Sequence, residues 1–308
     1  MIAGLCRTLN RPMVVLSQDD LAARRLQEEL KGFLADTAPI LPGRDLTLYD
    51  AAVVSRSWEQ KRLRQLYDLA TGKTGLQIMT WESLSLRTMP KAALLAAAFS
   101  LEVGREYAVE DLISRLTAAG YNRCGMVEGP GQFAVRGGIL DIFSPAEDRP
   151  VRAEFFGDEL DTMGFFDPAT QRRSENITSV TVLPVAETQP GLHPGGVEGL
   201  CKDITSLISR QKRRKNINEP LIATLEKDLN KYESGLHNPA SDRYMALIYP
   251  EMATAADYIP DGAVVAVCDH GNLQRAARSR CDEVGMQLDS MLGAGLVAGE
   301  LCDYVCQW

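Results

Sequence analysis

The chain has 308 residues, 45% of them hydrophobic and 24% charged, enough apolar material for one substantial core and a second, smaller one. A formal charge of -8 and a pI near 5.1 argue against a domain that coats nucleic acid, though a local basic patch is compatible with both values. Seven cysteines, at 6, 124, 201, 268, 281, 302 and 306, form no Cys-x-x-Cys pair and accompany three histidines, a pattern of reduced thiols rather than of disulfides or zinc. Cys302 and Cys306 can share a helix face, but two further metal ligands are missing, so no metal is expected.

In chain order, Pro12-Met-Val-Val-Leu16 reads as a buried strand. Ser17 or Asp19 then caps a helix over about 21–33, with Leu21, Leu26, Leu30 and Phe33 expected on its inner side. Pro39-Ile-Leu-Pro42 ends that unit, and a second helix over 57–69 carries Trp58, Leu63, Leu66 and Leu69 at helical spacing. Gly75-Leu-Gln-Ile-Met-Thr80 is the next strand, followed by a helical turn over 82–86. Strand, helix, strand in this order implies a parallel sheet with covering helices. Gly72-Lys-Thr74 ends like a phosphate loop, yet residue 67 is Tyr where glycine is required, a helix precedes the tripeptide and a strand follows it. A helix-to-strand turn is therefore expected, and no nucleotide cofactor. The run Ala92-Ala-Leu-Leu-Ala-Ala-Ala-Phe99 is far below the roughly eighteen residues of a membrane span and reads as a small buried helix. Because Met1-Ile-Ala-Gly-Leu-Cys-Arg7 also lacks the pattern of a leader, the expectation is a cytoplasmic protein without membrane contact.

Composition changes between about 100 and 187. A helix over 110–119, with Leu112, Ile113 and Leu116 inward and Gly120 as its stop, precedes six short β-type segments at 121–127, 132–135, 139–143, 151–156, 159–166 and 177–183. Gly, Pro or Asp separates them, and Gly129-Pro-Gly131 and Gly137-Gly138 are turns. The fold class that follows is α/β, a parallel sheet with flanking helices, interrupted by a small, mainly antiparallel α+β domain. Within the insert, Arg152 and Glu154 oppose Val151, Ala153 and Phe155, and a bulge or the turn at Gly157 is expected to aim Phe156 at the surface carrying Arg152. Two readings stay open. Phe156 is core and Arg152 pairs with Glu154 or a neighbour, or both residues join Arg136, at its glycine-backed turn, in a docking surface. Asp158 and Glu159 either select a basic rim on a partner or are solvated charge.

Gly191-Leu-His-Pro-Gly-Gly196 reads as a linker in which His193 is a loop residue. A helix over 204–215 ends in Arg210-Gln-Lys-Arg-Arg-Lys215, either favourable charge at a helix C-terminus or a contact for phosphate or an acidic domain. Residues 220–232 are again helical, with Leu221, Leu225 and Leu229 one turn apart. The last βα unit is the strand Ala263-Val-Val-Ala-Val-Cys268 and a helix capped by Asn272 that extends past Arg280. Cys268, Asp269 and His270 stand at a strand's carboxyl end, but no second histidine or nucleophile completes a relay, and an Asp there serves as a helix cap. No catalytic residue is assigned.

The stretch from Gly120 through Pro184, with the three residues that follow it, contains Phe133-Ala-Val-Arg-Gly-Gly-Ile-Leu-Asp-Ile-Phe143, Arg152-Ala-Glu-Phe-Phe-Gly-Asp-Glu159, Phe166-Asp-Pro-Ala-Thr-Gln-Arg172 and Val182-Leu-Pro-Val-Ala-Glu187. These motifs, in this order, resemble the N-terminal UvrB-homology module of the transcription-repair coupling factor family, Mfd. More weakly, the resemblance extends upstream through Pro12-Met-Val-Val-Leu16 and Leu48-Tyr-Asp50 and downstream to the end of the chain. It implies a UvrB-like domain 1a over residues 1–102 that lacks a phosphate loop, a UvrA-binding domain over 103–186, and a domain 1b over 187–308. It implies a non-enzymatic recruiter of the damage-recognition ATPase UvrA, with Arg136, Arg152 and Phe156 at the family's contact positions. Contacts with RNA polymerase and DNA belong to other regions of the family's proteins, and a distant C-terminal domain covers the recruiting face intramolecularly. The alternatives are a fragment of a UvrB-like ATP-dependent damage-loading helicase, which needs a phosphate loop, and an autoinhibitory module that masks its own interface.

Overall fold

The strands of the first unit are near-continuous apolar runs, so that each side of the sheet has its own core to fill. The computed structural model describes residues 1–9, 11–34, 37–50 and 57–305. In chain order, α1 (Ile2–Leu9), β1 (Met13–Ser17), α2 (Asp20–Lys31), α3 (Ser57–Ala70), β2 (Leu76–Thr80), α4 (Trp81–Ser85) and α5 (Lys91–Ala97) come first. β1 and β2 pair in parallel, Met13 opposite Leu76 and Ser17 opposite Thr80. The free edge of β2 is covered by the segment around Ile40, where Ile78 donates to the Pro39 carbonyl and accepts from the Leu41 amide, both at 2.9 Å.

Asp19, one of the two expected caps, closes α2 by accepting from the Ala22 amide at 2.8 Å. The inner face of α2 differs from expectation. Ala23 and Leu30 are buried, whereas Leu21 is 61% exposed and Phe33 lies beyond the last helical residue. At 100° per residue Leu21 stands more than a quarter-turn from Leu26 and Leu30, so the four cannot share a stripe. Trp58 at the start of α3 is likewise exposed, with the Lys61 ammonium over its ring, and Arg62 takes an inward position beside Leu63, Leu66 and Leu69.

The insert follows: β3 (Phe99–Glu102), α6 (Val109–Ala118), β4 (Asn122–Arg123), β5 (Gln132–Arg136), β6 (Ile139–Ile142), β7 (Val151–Phe156), β8 (Glu159–Phe166), β9 (Arg173–Asn176) and β10 (Ser179–Val182). Strands β4 to β9 form one six-stranded sheet in sequence order, antiparallel except for the short β4–β5 pair. Phe99 belongs to β3 rather than to the preceding helix, and β10 pairs with β3 instead of joining the large sheet. The entry and exit of the insert are thus hydrogen-bonded to each other, with Phe99, Leu101, Val180 and Val182 buried on one side of the pair. α6 sets Leu112 and Leu116 against Phe133, Leu140, Ala153 and Met163 to make the insert's own core.

The chain then returns through α7 (Gly196–Lys212), α8 (Glu219–Glu233), α9 (Met245–Ile248), β11 (Val264–Val267) and α10 (His270–Gly293). β11 pairs in parallel with β1, completing a three-stranded sheet in the order β11-β1-β2. Met13, Val15 and Ile78 face α2, while Val14 and Met79 face the larger core built with α3, α7 and α8. The cap of α10 is Asp269, at φ 51, whose carboxylate accepts from the Asn272 amide at 3.1 Å; Asn272 is the donor and not the cap. The architecture is an α/β body with flanking helices and a smaller inserted α+β unit. Among the described residues no helix is long and apolar enough to cross a membrane.

Candidate protein-interaction surface

A strand in a two-faced sheet shows every second residue to each side, and the insert uses its two faces differently. Leu140, Ala153 and Met163 face α6. The opposite face carries a cross-strand row of Ala134, Asp141, Arg152 and Gly164, and a second row of Arg136, Ile139, Glu154 and Thr162. Its apolar floor is a small cluster of Val127, Ala134, Phe143 and Phe166.

Asp141 is the centre of this face. Its side chain has 0% exposure, and both oxygens are taken by arginines. Arg152, opposite it on β7, donates from Nε to Oδ1 at 2.7 Å and from Nη2 to Oδ2 at 2.9 Å. Arg136, on the diagonal from β5, donates from Nη2 to Oδ2 at 2.6 Å. Arg152 also donates from Nη1 to the carbonyl of Gln171 at 3.2 Å, and its guanidinium lies 4.7 Å from the Phe166 ring centroid. The hydrogen bonds to Asp141 hold the Arg152 guanidinium above its ordinary pKa. Beside this trio, Arg173 bridges Glu154 and Thr162, each at 3.0 Å.

Arg136 and Phe156 sit at the same end of the sheet because two tight turns emerge there. Gly137 takes φ 60, and the Phe155 amide donates to the Gly138 carbonyl at 2.7 Å. A Cβ on Gly138 would stand 2.7 Å from the Phe155 carbonyl oxygen, so the approach of the turn to β7 requires glycine. Phe156 is 83% exposed, which corrects the reading that places it in the core. The expected re-aiming is also corrected. Positions 152, 154 and 156 have the same parity, so a regular strand already presents them on one side, while Phe155 packs on the core face. A bulge is present between Glu154 and Phe155 in the pairing of β7 with β8, but the extra residue is Asp161 on β8 and β7 itself stays regular. Arg152 does pair within the chain, with Asp141 rather than Glu154. Arg136 and Arg152 are therefore both ion-paired, the first with 47% of its side chain exposed and the second with 16%. Asp158 and Glu159 are exposed around the second turn.

The remaining sequence candidates have internal roles. His193 is a loop residue, its Nδ1 accepting from the Gly195 amide at 3.0 Å and its Nε2 3.2 Å from Asp203. In the basic run, Arg210 and Arg214 both pair with Glu300 and Lys212 pairs with Glu226. Gly72, at φ 72, ends α3 in a turn in which the Lys73 amide donates to the Asp68 carbonyl at 2.8 Å. The helix N-terminus at the carboxyl end of β1, where open α/β sheets receive phosphates, is occupied by the Asp19 carboxylate with Asp20 beside it. No group of metal-ligating side chains exists among the described residues, and Cys306 lies outside them. What sequence reading missed is Asp141. Its signal is an acid inside the apolar strand Ile139–Ile142, flanked across both neighbouring strands by arginine.

Comparison with known proteins bears on the same region. Residues 99–187 match the UvrB interaction domain. The chain is 24% identical over 302 residues to the transcription-repair-coupling factor of Bacillus subtilis, covering 97% of this chain and 26% of that protein. It is 26% identical over 299 residues to that of Staphylococcus aureus (96% and 25%), and 33% identical over 195 residues to that of Myxococcus xanthus (61% and 16%). The matched region thus spans between about a sixth and a quarter of the length of these curated relatives. It is homologous to transcription-repair-coupling factors along most of its length.

Proposed function

We propose that this chain is the non-catalytic, UvrB-like part of a transcription-repair coupling factor and that its inserted domain recruits UvrA through Arg136, Arg152 and Phe156. The observation that carries the reading is Phe156, a large aromatic left 83% exposed at the same end of the sheet as the half-exposed Arg136. Covering such a side chain contributes about 1.5–3 kcal/mol, and aromatic and arginine anchors of this kind dominate protein interfaces. A match to an interaction domain and homology to coupling factors support a protein–protein role for the face. RNA polymerase and DNA would be engaged by regions of the longer protein outside this chain. The same face would serve intramolecular contact with a C-terminal domain of that protein, in the cytoplasm and without a membrane.

An ATP-dependent, UvrB-like activity is the less favoured reading, because the chain's own Asp19 fills the helix terminus that a phosphate would need. Capture of purified UvrA by the chain tests recruitment. Arg136→Ala and Phe156→Ala are each expected to weaken binding at least tenfold, the effect of about 1.4 kcal/mol or more at a hot spot, with thermal midpoints unchanged. Equal capture by all variants would remove the site, and no capture by the unaltered chain would remove recruitment itself.

A further inference from the structure

Two guanidinium groups on the candidate surface share one counter-charge. Asp141 lies between Leu140 and Ile142 on a central strand, fully buried, and its two oxygens receive three N–H groups. Arg152 is enclosed by the arrangement, since its Nε, Nη1 and Nη2 are engaged by Asp141 and Gln171 and its plane lies on Phe166. Arg136 is tethered through Nη2 alone and remains 47% exposed, so its Nε and Nη1 point to no partner among the described residues. The neighbouring pair, Glu154 with Arg173, is neutral. Two arginines and one aspartate leave this trio with one positive charge, and Arg136 presents it at the same end as Phe156 and as Glu159, the cross-strand partner of Phe156.

Resting on the reading of this surface as the recruiting one, we infer that Asp141 is its positioning residue, holding Arg136 in the orientation in which a carboxylate of the partner meets it. A lone arginine at a turn samples many rotamers and loses that freedom on binding. One held by a buried carboxylate is already ordered, and only its outer N–H groups remain to be matched. The partner chemistry that fits is an acidic side chain next to an apolar pocket, the first for Arg136 and the second for Phe156.

A double-mutant cycle read by binding to purified UvrA tests this. Arg136→Gln and Asp141→Asn are each expected to weaken binding roughly tenfold, and the double variant to be little weaker than either single one, because the second change removes a group already out of position. Asp141→Glu, which keeps the charge, is expected to recover part of the loss. Additive effects in the double variant would overturn the positioning role while leaving recruitment intact. An unaltered chain that does not bind UvrA would overturn recruitment and this inference with it. Should Asp141→Asn fail to fold, arginine-selective dicarbonyl labelling of the unaltered chain decides. Arg136 is expected to label several-fold faster than Arg152 and to be protected by UvrA. Equal labelling of the two would overturn the assignment.

Discussion

Arg62 has no exposed side-chain surface, and its charge is met by a carboxylate from the far side of the insert. Glu187 accepts from Arg62 Nε at 2.9 Å and from the Thr88 hydroxyl, and Arg44 Nε stands 3.6 Å away. Burial pushes the Arg62 guanidinium below its ordinary pKa, and Glu187 acts against that shift. Glu187→Ala leaves two buried cations without their shared partner and is expected to cost about 3–5 kcal/mol in urea unfolding. Phe156→Ala, at an exposed position, should change stability by less than about 0.5 kcal/mol. Asp50 reports on a different contact. Lys227 and Lys231 hold its carboxyl at about 2, below the ordinary 3.8. Since the folded pKa is the lower one, the contribution is complete above pH 4, fades as pH falls through the interval to 2, and is absent below it. Asp50→Asn should therefore flatten the acid limb of the stability profile in that interval, its deficit relative to the unaltered chain shrinking as pH falls from 4 to 2 and vanishing below.

Among the elements, the pairing of β7, β8 and β9 shows where local rules suffice and where they do not. Alternation along Val151–Phe156 fixes which residues share a side, so the coplanarity of Arg152, Glu154 and Phe156 was available by counting. The bulge at Asp161 was not, because it depends on which residue of β8 meets which residue of β7. Gly164, opposite Arg152, makes a similar point. A Cβ there would stand 2.5 Å from both the Arg173 Nε and the Glu175 carbonyl oxygen, one a side chain that can move and the other backbone that cannot. Gly164→Ala is expected to destabilise the insert by about 1–3 kcal/mol and to expose the β9 amides to hydrogen exchange ahead of those of β7.

At the scale of the molecule, the insert is joined to the body through β3 and β10, two strands paired to each other about eighty residues apart in sequence. That closure presents the Arg136–Phe156 face as part of a compact unit with its own core. The body keeps a parallel sheet of the kind that binds nucleotides, with its helix terminus capped from within. ATP with magnesium is accordingly expected to leave the thermal midpoint of the chain unchanged. A rise that grows with ATP concentration would restore the enzymatic reading.

Periodicity and punctuation by themselves determined most of the elements, the α/β class and the existence of an insert, because helix and strand periods, caps and glycine turns are properties of neighbours in sequence. Arg136, Arg152 and Phe156 were named together by family resemblance, since periodicity and punctuation left open whether Phe156 is core or surface. Tertiary structure decided that Trp58 and Leu21 face water, that Arg62 does not, and that one aspartate serves two arginines. These outcomes depend on which side chains meet across strands and helices far apart in the chain. A buried charge persists only where such a partner arrives, and no stretch of sequence specifies its own partner.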